Sequence, residues 1–180
     1  MYPLQTKNLS KGTIFKPNNC YSFIDIMETK TAIICPPDLT ARPLGLKIEK
    51  MLRLTPEKLY KAWTTQLDLW FASPGSLLGK PESNSPFYFE TSYQGIRHPH
   101  YGRFLALEEP VRVEMAWVTG EGGTQGAETL LIIELSRLEN GTFLTLTHAG
   151  FSNEATRNNH QDAWPAVLEQ LEERMSRPAD

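Results

Sequence analysis

"YGRFLALEEPVRVEMAW", residues 101–117, holds two β-patterned runs on either side of a turn. In "VRVEMAW" (111–117), Val111, Val113, Met115 and Trp117 share one parity, the pattern of a strand with one face buried. "YGRFLAL" (101–107) is rich enough in aromatic and apolar residues for a second strand. Glu108 and Glu109 precede Pro110 between them, so these acids read as solvated turn residues and not as a catalytic pair. Strands joined this closely run antiparallel, because a parallel crossover needs roughly a dozen residues or more.

The same grammar extends outward. "FYFETSY" (87–93) reads as a strand upstream. Downstream, "TGEGGTQG" (119–126) leads into "ETLLIIELSRL" (128–138), and "ENG" (139–141) turns the chain back into "TFLTLTH" (142–148). The glycine-rich corner lacks the GK[ST] ending of a phosphate loop and lies between two strands, so its glycines read as turn residues. An antiparallel meander results.

Helices flank it. "LKIEKMLRL" (46–54) alternates as a first strand, and "TPEKLYKAWTT" (55–65) follows as a helix capped by Thr55, with Pro56 and Glu57 suited to its first turn. Leu59, Ala62 and Trp63 share a face of it. "DLWFASPG" (68–75) reads as a second short helix stopped by Pro74 and Gly75. In "NNHQDAWPAVLEQLEERM" (158–175), Trp164, Val167, Leu168, Leu171 and Met175 form one stripe. Pro165 suits only a first turn, which predicts a helix starting near Asp162. The apolar stripes are satisfied by an α+β fold, a curved sheet with a long helix across its open face.

Composition narrows the partners. A net charge of −3 offers no electrostatic reason to bind nucleic acid or anionic lipid. Apolar runs such as "TLLII" (129–133) are far too short for a membrane span. "MYPLQTKNLSKG" lacks the apolar core of a secretion signal, and Cys20 and Cys35 form neither a CxxC pair nor a disulfide framework. A cytoplasmic protein with reduced thiols is expected. Residues 1–45, including "NLSKGTIFKPNNC" and "CPPDLTARPLG", show no sustained period and read as an irregular extension. Met27 opens "METKTAIICPP" as a plausible start, so residues 1–26 read either as a non-native extension or as a genuine flexible arm. The expected domain is 46–176, with a tail at 177–180.

Four segments in order and spacing, "AWTTQLDLWFASPG" (62–75), "YGRFLALEEPVRVEMAW" (101–117), "GTFLTLTHAGF" (141–151) and "DAWPAVLEQLEERM" (162–175), carry a resemblance. The chain resembles the SRPBCC (START-like) superfamily, in the branch similar to the C-terminal domain of the activator of heat-shock-protein-90 ATPase. The resemblance implies a helix-grip fold, as in pollen allergens: a curved antiparallel sheet around a long C-terminal helix, two short helices after the first strand, and a cavity for an apolar ligand. It also implies a link to the stress response and a chaperone as a second kind of partner. The eukaryotic co-chaperone has a large additional N-terminal domain, and only about forty-five poorly patterned residues precede the match here, so chaperone activation is not the leading expectation.

The histidines are the chemical candidates. His98 and His100 flank Pro99 and would share a strand face, as two zinc ligands do. A zinc site needs further ligands, which only His148, His160 or carboxylates could supply. The favoured reading is a polar edge or hairpin corner, since Pro99 cannot donate to a ladder, with His98 or His100 near the cavity rim. No cofactor is expected. His148 has the parity of Leu144 and Leu146, and reads either as a histidine bonded to the adjoining loop or as a polar group on a cavity wall. On such a wall it could orient a ligand or serve as the base of a cyclase- or hydrolase-type enzyme. No serine sits in GxSxG. Trp117, Leu131, Ile133, Leu135, Leu144, Leu146, His148, Trp164 and Leu168 are the expected cavity wall. The function expected is binding of a hydrophobic or amphipathic small molecule, with catalysis the lesser expectation.

Overall fold

The computed structural model describes residues 14–15, 21–24 and 31–177. The chain divides after Cys35 into two units. In the first, β1 (Ile14–Phe15), β2 (Tyr21–Ile24) and β3 (Thr31–Ile34) form an antiparallel sheet in that order. These strands fall in a stretch whose sequence shows no period, because runs of two to four residues are too short to display one. Cys35 is disulfide-bonded, which corrects the reduced-thiol reading. Cys20, most of residues 1–26 and the tail beyond residue 177 lie outside the described residues.

The second unit runs β4 (Leu44–Leu52), α1 (Pro56–Thr64), α2 (Leu67–Trp70), β5 (Leu78–Gly79), β6 (Pro86–Tyr93), β7 (Ile96–Glu108), β8 (Arg112–Thr119), β9 (Thr129–Leu138), β10 (Gly141–Phe151) and α3 (Glu154–Ser176). Its strands make one curved seven-stranded antiparallel sheet, ordered β4-β10-β9-β8-β7-β6-β5. The first strand closes beside the last because β4 pairs β10, Ile48 opposite Leu146 and Leu46 opposite His148. Register shifts between Phe104 and Ala106 and between Ala149 and Phe151 mark bulges, the device that bends a strand. At the first bulge Phe104 and Leu105 are both buried, where strict alternation would expose one.

The alternation expected for β8 holds from Val113 through Met115 to Trp117, all buried. Val111 breaks it: the residue lies before the strand, in the turn closed by its N–H to Glu108, and is 48% exposed. α1 forms where expected, with Thr55 Oγ1 accepting from Lys58 N. Its Leu59, Ala62 and Trp63 are fully buried, and the helix packs on β8 and β9. α2 is shorter than "DLWFASPG" suggested; it is one turn, anchored by Trp70 Nε1 donating to Ala62 O at 2.8 Å.

The long helix departs from expectation. α3 starts at Glu154, eight residues before the expected Asp162, and Asn153 caps it by accepting from Thr156 N at 2.9 Å. Pro165 therefore sits inside the helix. A proline there costs about 3 kcal/mol through a lost hydrogen bond and a clash with the preceding turn. Burial of Trp164, Leu168, Leu171 and Met175 on one stripe offsets that cost, at roughly 1.5–3 kcal/mol per large side chain. Pro165 is itself exposed, so water can reach the carbonyl it leaves unpaired. Arg53 N donating to Glu172 at 2.7 Å and Gln170 Nε2 donating to Trp70 O at 2.6 Å pin the helix to the end of β4 and to α2. No described helix is long and apolar enough to cross a membrane.

Candidate ligand-binding cleft

Most of the expected cavity wall is solid core. Leu131, Ile133 and Leu135 on β9, Leu144, Leu146 and His148 on β10, and Leu168 on α3 are all buried in a close-packed cluster with Trp63 and Trp70. Along the strand centres, α1 and the second half of α3 bring large side chains onto the sheet, and interiors pack to the density of organic crystals. Open space lined by aromatic side chains lies instead at one end of the grip. There a cleft of about 740 Å³ is bounded by Phe71 after α2, Thr91 on β6, Ile96–His100 on β7, Trp117 and Thr119 at the end of β8, the 120–123 loop, and His160, Ala163, Trp164 and Val167 on α3. Of the nine expected wall residues it includes Trp117 and Trp164.

The β6–β7 hairpin builds the outer wall. Gln94 and Gly95 turn it with φ of 50° and 78°, the positive pair that a tight two-residue hairpin turn demands. The "RHPH" segment is thus strand just beyond the corner. Pro99 pairs with Glu90 of β6, and β7 has no partner on its other side before His100 meets Thr119 of β8. Such a half-edge is where a residue without an N–H is tolerated. Among the described residues no cluster of three or more His, Cys, Asp or Glu side chains could hold a metal ion.

His148 is placed where parity put it, and its surroundings give it a different job. It is fully buried. Thr129 Oγ1 donates its proton to Trp117 O at 2.7 Å, so it must accept from His148 Nε2, 2.8 Å away. Trp164 Nε1 donates to His148 Nδ1 at 3.3 Å. The ring is then the neutral Nε2–H tautomer with both nitrogens engaged, one as donor and one as acceptor. Burial holds its basicity well below the ordinary histidine value, and His160 adds to the effect. No lone pair is left to take a substrate proton, and no N–H is left for a ligand.

His100 and His160 are arranged otherwise. His100 Nδ1 lies 3.0 Å from His98 O, and His160 Nδ1 lies 2.9 Å from Thr156 O. A carbonyl only accepts, so each Nδ1 carries the proton and each Nε2 presents a lone pair. Burial pushes the His100 pKa down to about 4 and that of His160 below its usual value, so both are neutral at pH 7. His100 is also held flat: Phe89 stacks on it at 4.6 Å, and Phe71 and Trp117 meet it edge-on at 5.6 and 5.4 Å. At the rim, Arg97 is engaged by Glu90, whose carboxyl is held low first by the Tyr88 hydroxyl and then by Arg97.

Sequence reasoning named Trp164 on the helical side of the cleft and missed Phe71, and on α3 His160, Ala163 and Val167, as lining residues. Phe71 follows a one-turn helix and has no periodic partner. His160 precedes the expected helix start, so it had no face to be assigned to. With α3 begun at Glu154, His160 and Trp164 stand four residues apart on one face.

A family profile described as "Activator of Hsp90 ATPase homolog 1-like protein" matches residues 53–176. No curated protein matches the chain. Among solved structures, protein MLL2253 from Mesorhizobium loti is similar at 20% identity, covering 76% of this chain and 100% of its own, with a TM-score of 0.62. CalU16 from Micromonospora echinospora is 23% identical over 73% of this chain and 76% of its own, with a TM-score of 0.56. The Aha1 dimer from Colwellia psychrerythraea is 18% identical over 73% and 96%, with a TM-score of 0.57. At these identities the likeness is one of fold.

Proposed function

The chain belongs to the Activator of Hsp90 ATPase homolog 1-like family, and from that premise we propose that it binds a hydrophobic or amphipathic small molecule in the cleft between α3 and the β6–β7 hairpin. The observation carrying this reading is the cleft itself: about 740 Å³ walled by Phe71, Trp117, Trp164 and Val167, within the size range of small-molecule sites. Burying about 200 Å² of ligand carbon would contribute roughly 5 kcal/mol before ordering costs. Trp117 and Trp164 make the test direct. Titration with a naphthalene-class probe is expected to quench tryptophan fluorescence saturably, and Val167→Trp, which fills the cleft, to weaken binding at least tenfold. No uptake by the wild-type chain, together with no copurifying species in native mass spectrometry, would sink the reading.

A chaperone-regulating role is the second reading, supported by the family's description. An ATPase assay with the cognate chaperone tests it, and absence of stimulation removes it. A cytoplasmic setting completes the proposal.

A further inference from the structure

We infer that the cleft takes a flat aromatic guest carrying a hydrogen-bond donor, a phenol above all, whose proton the Nε2 atom of His100 or of His160 accepts. The inference rests on the small-molecule reading and adds the ligand's chemical class. Both imidazoles line the cleft, and both spend Nδ1–H on a backbone carbonyl. Among the described residues the hydrogen bonds of both rings run through Nδ1, and Nε2 makes none. The two rings are near enough for the charge of one to bear on the other. His148, one turn of contacts away in the core, shows the contrast, since its two nitrogens are both satisfied.

An acceptor-lined pocket selects a donor, because a guest without one leaves a desolvated lone pair unpaired. The other lining groups point the same way. Glu121 at the rim is a further acceptor and repels a carboxylate guest, while the Arg97 cation is already paired with Glu90. The Trp117 indole on the same wall carries an N–H, a donor among these acceptors. A hydroxyl, which both gives and takes a hydrogen bond, fits that mixture better than an ammonium. Phe71, Trp117 and Trp164 supply faces and edges on which an aromatic ring packs.

The test compares 2-naphthol with 2-methoxynaphthalene, which keeps the ring and lacks the donor, by titration calorimetry of the full chain near pH 7.5. Naphthol is expected to bind at least tenfold tighter. His100→Phe or His160→Phe should shrink that preference, and the double variant should reduce it to within twofold. Imidazole nitrogen NMR of the wild type reads the same contact without a mutation: the Nε2 resonance of His100 or of His160 should move with naphthol and stay with the ether. Equal affinity of the two probes, or Nε2 resonances indifferent to naphthol, overturns the donor inference and leaves the small-molecule reading standing. Failure of both probes to bind overturns the two together.

Discussion

Trp164 on α3 and His148 on β10 are joined by a hydrogen bond, indole Nε1 to imidazole Nδ1 at 3.3 Å, with ring centroids 6.0 Å apart. It is the first link of a buried chain that continues through Thr129 Oγ1 to the Trp117 carbonyl. Helix and three strands are thereby held in one register by polar groups that all have partners.

Removing the middle of that chain should be costly. His148→Ala leaves the Trp164 N–H unpaired, about 1–3 kcal/mol, and opens a cavity in a packed core. A loss of about 3–5 kcal/mol in urea unfolding is expected. A loss below 1 kcal/mol would mean that the network does not contribute to the fold.

Two buried histidines and a half-buried third predict how stability depends on pH. His100, His148 and His160 are each less basic folded than unfolded, chiefly because burial disfavours the cation. The unfolded chain therefore binds more protons near and below the ordinary value of 6.5. Their contribution is fully present above that value and is lost as pH falls toward the folded-state values, about 4 for His100. Each titrating group adds up to roughly 1.4 kcal/mol per pH unit to the slope. Unfolding free energy should be nearly level above pH 7 and fall steeply between about 6.5 and 4; a flat profile across that window contradicts the assignment.

The start of α3 supplies a pair of opposite effects. Asn153→Ala removes the cap on Thr156 N and should cost about 1 kcal/mol. Pro165→Ala restores a helix N–H at an exposed position and should stabilise by about 1–3 kcal/mol. Thermal melts that move in the same direction for both would place the helix start back at Asp162.

Gly102 is a packing glycine. A Cβ there would meet Ala116 O at 2.2 Å and Phe87 Cζ at 2.3 Å, and the backbone atom of that pair cannot swing away. Gly102→Ala should destabilise by more than about 2 kcal/mol, read by chemical denaturation. Gly120→Ala, which meets nothing within 4 Å, is the matched control and should be near neutral.

Periodicity and turn chemistry alone determined much of this protein: the order of one strand, two short helices, a meander and a closing helix, and the burial of Val113, Met115, Leu131, Ile133, Leu144, Leu146 and His148 on one face. Those features are local, because a strand's parity and a helix's stripe are written in neighbouring residues. What tertiary structure decided was where the interior is full and where it is open. Leu131 and Trp117 look alike in sequence and both belong to the buried core, yet of the two Trp117 also lines the cleft. The helix start was decided the same way, since the burial of Trp164 and its neighbours outweighs what Pro165 costs. So was the task of each histidine: His148 lost both nitrogens to Thr129 and Trp164, while His100 and His160 kept one each. A ring nitrogen's role is set by the partner 3 Å away in space: Thr129 and Trp164 reach His148 from another strand and from α3, which only the fold brings together, while His98 and Thr156 take the Nδ1 protons of His100 and His160 from within the same strand and helix.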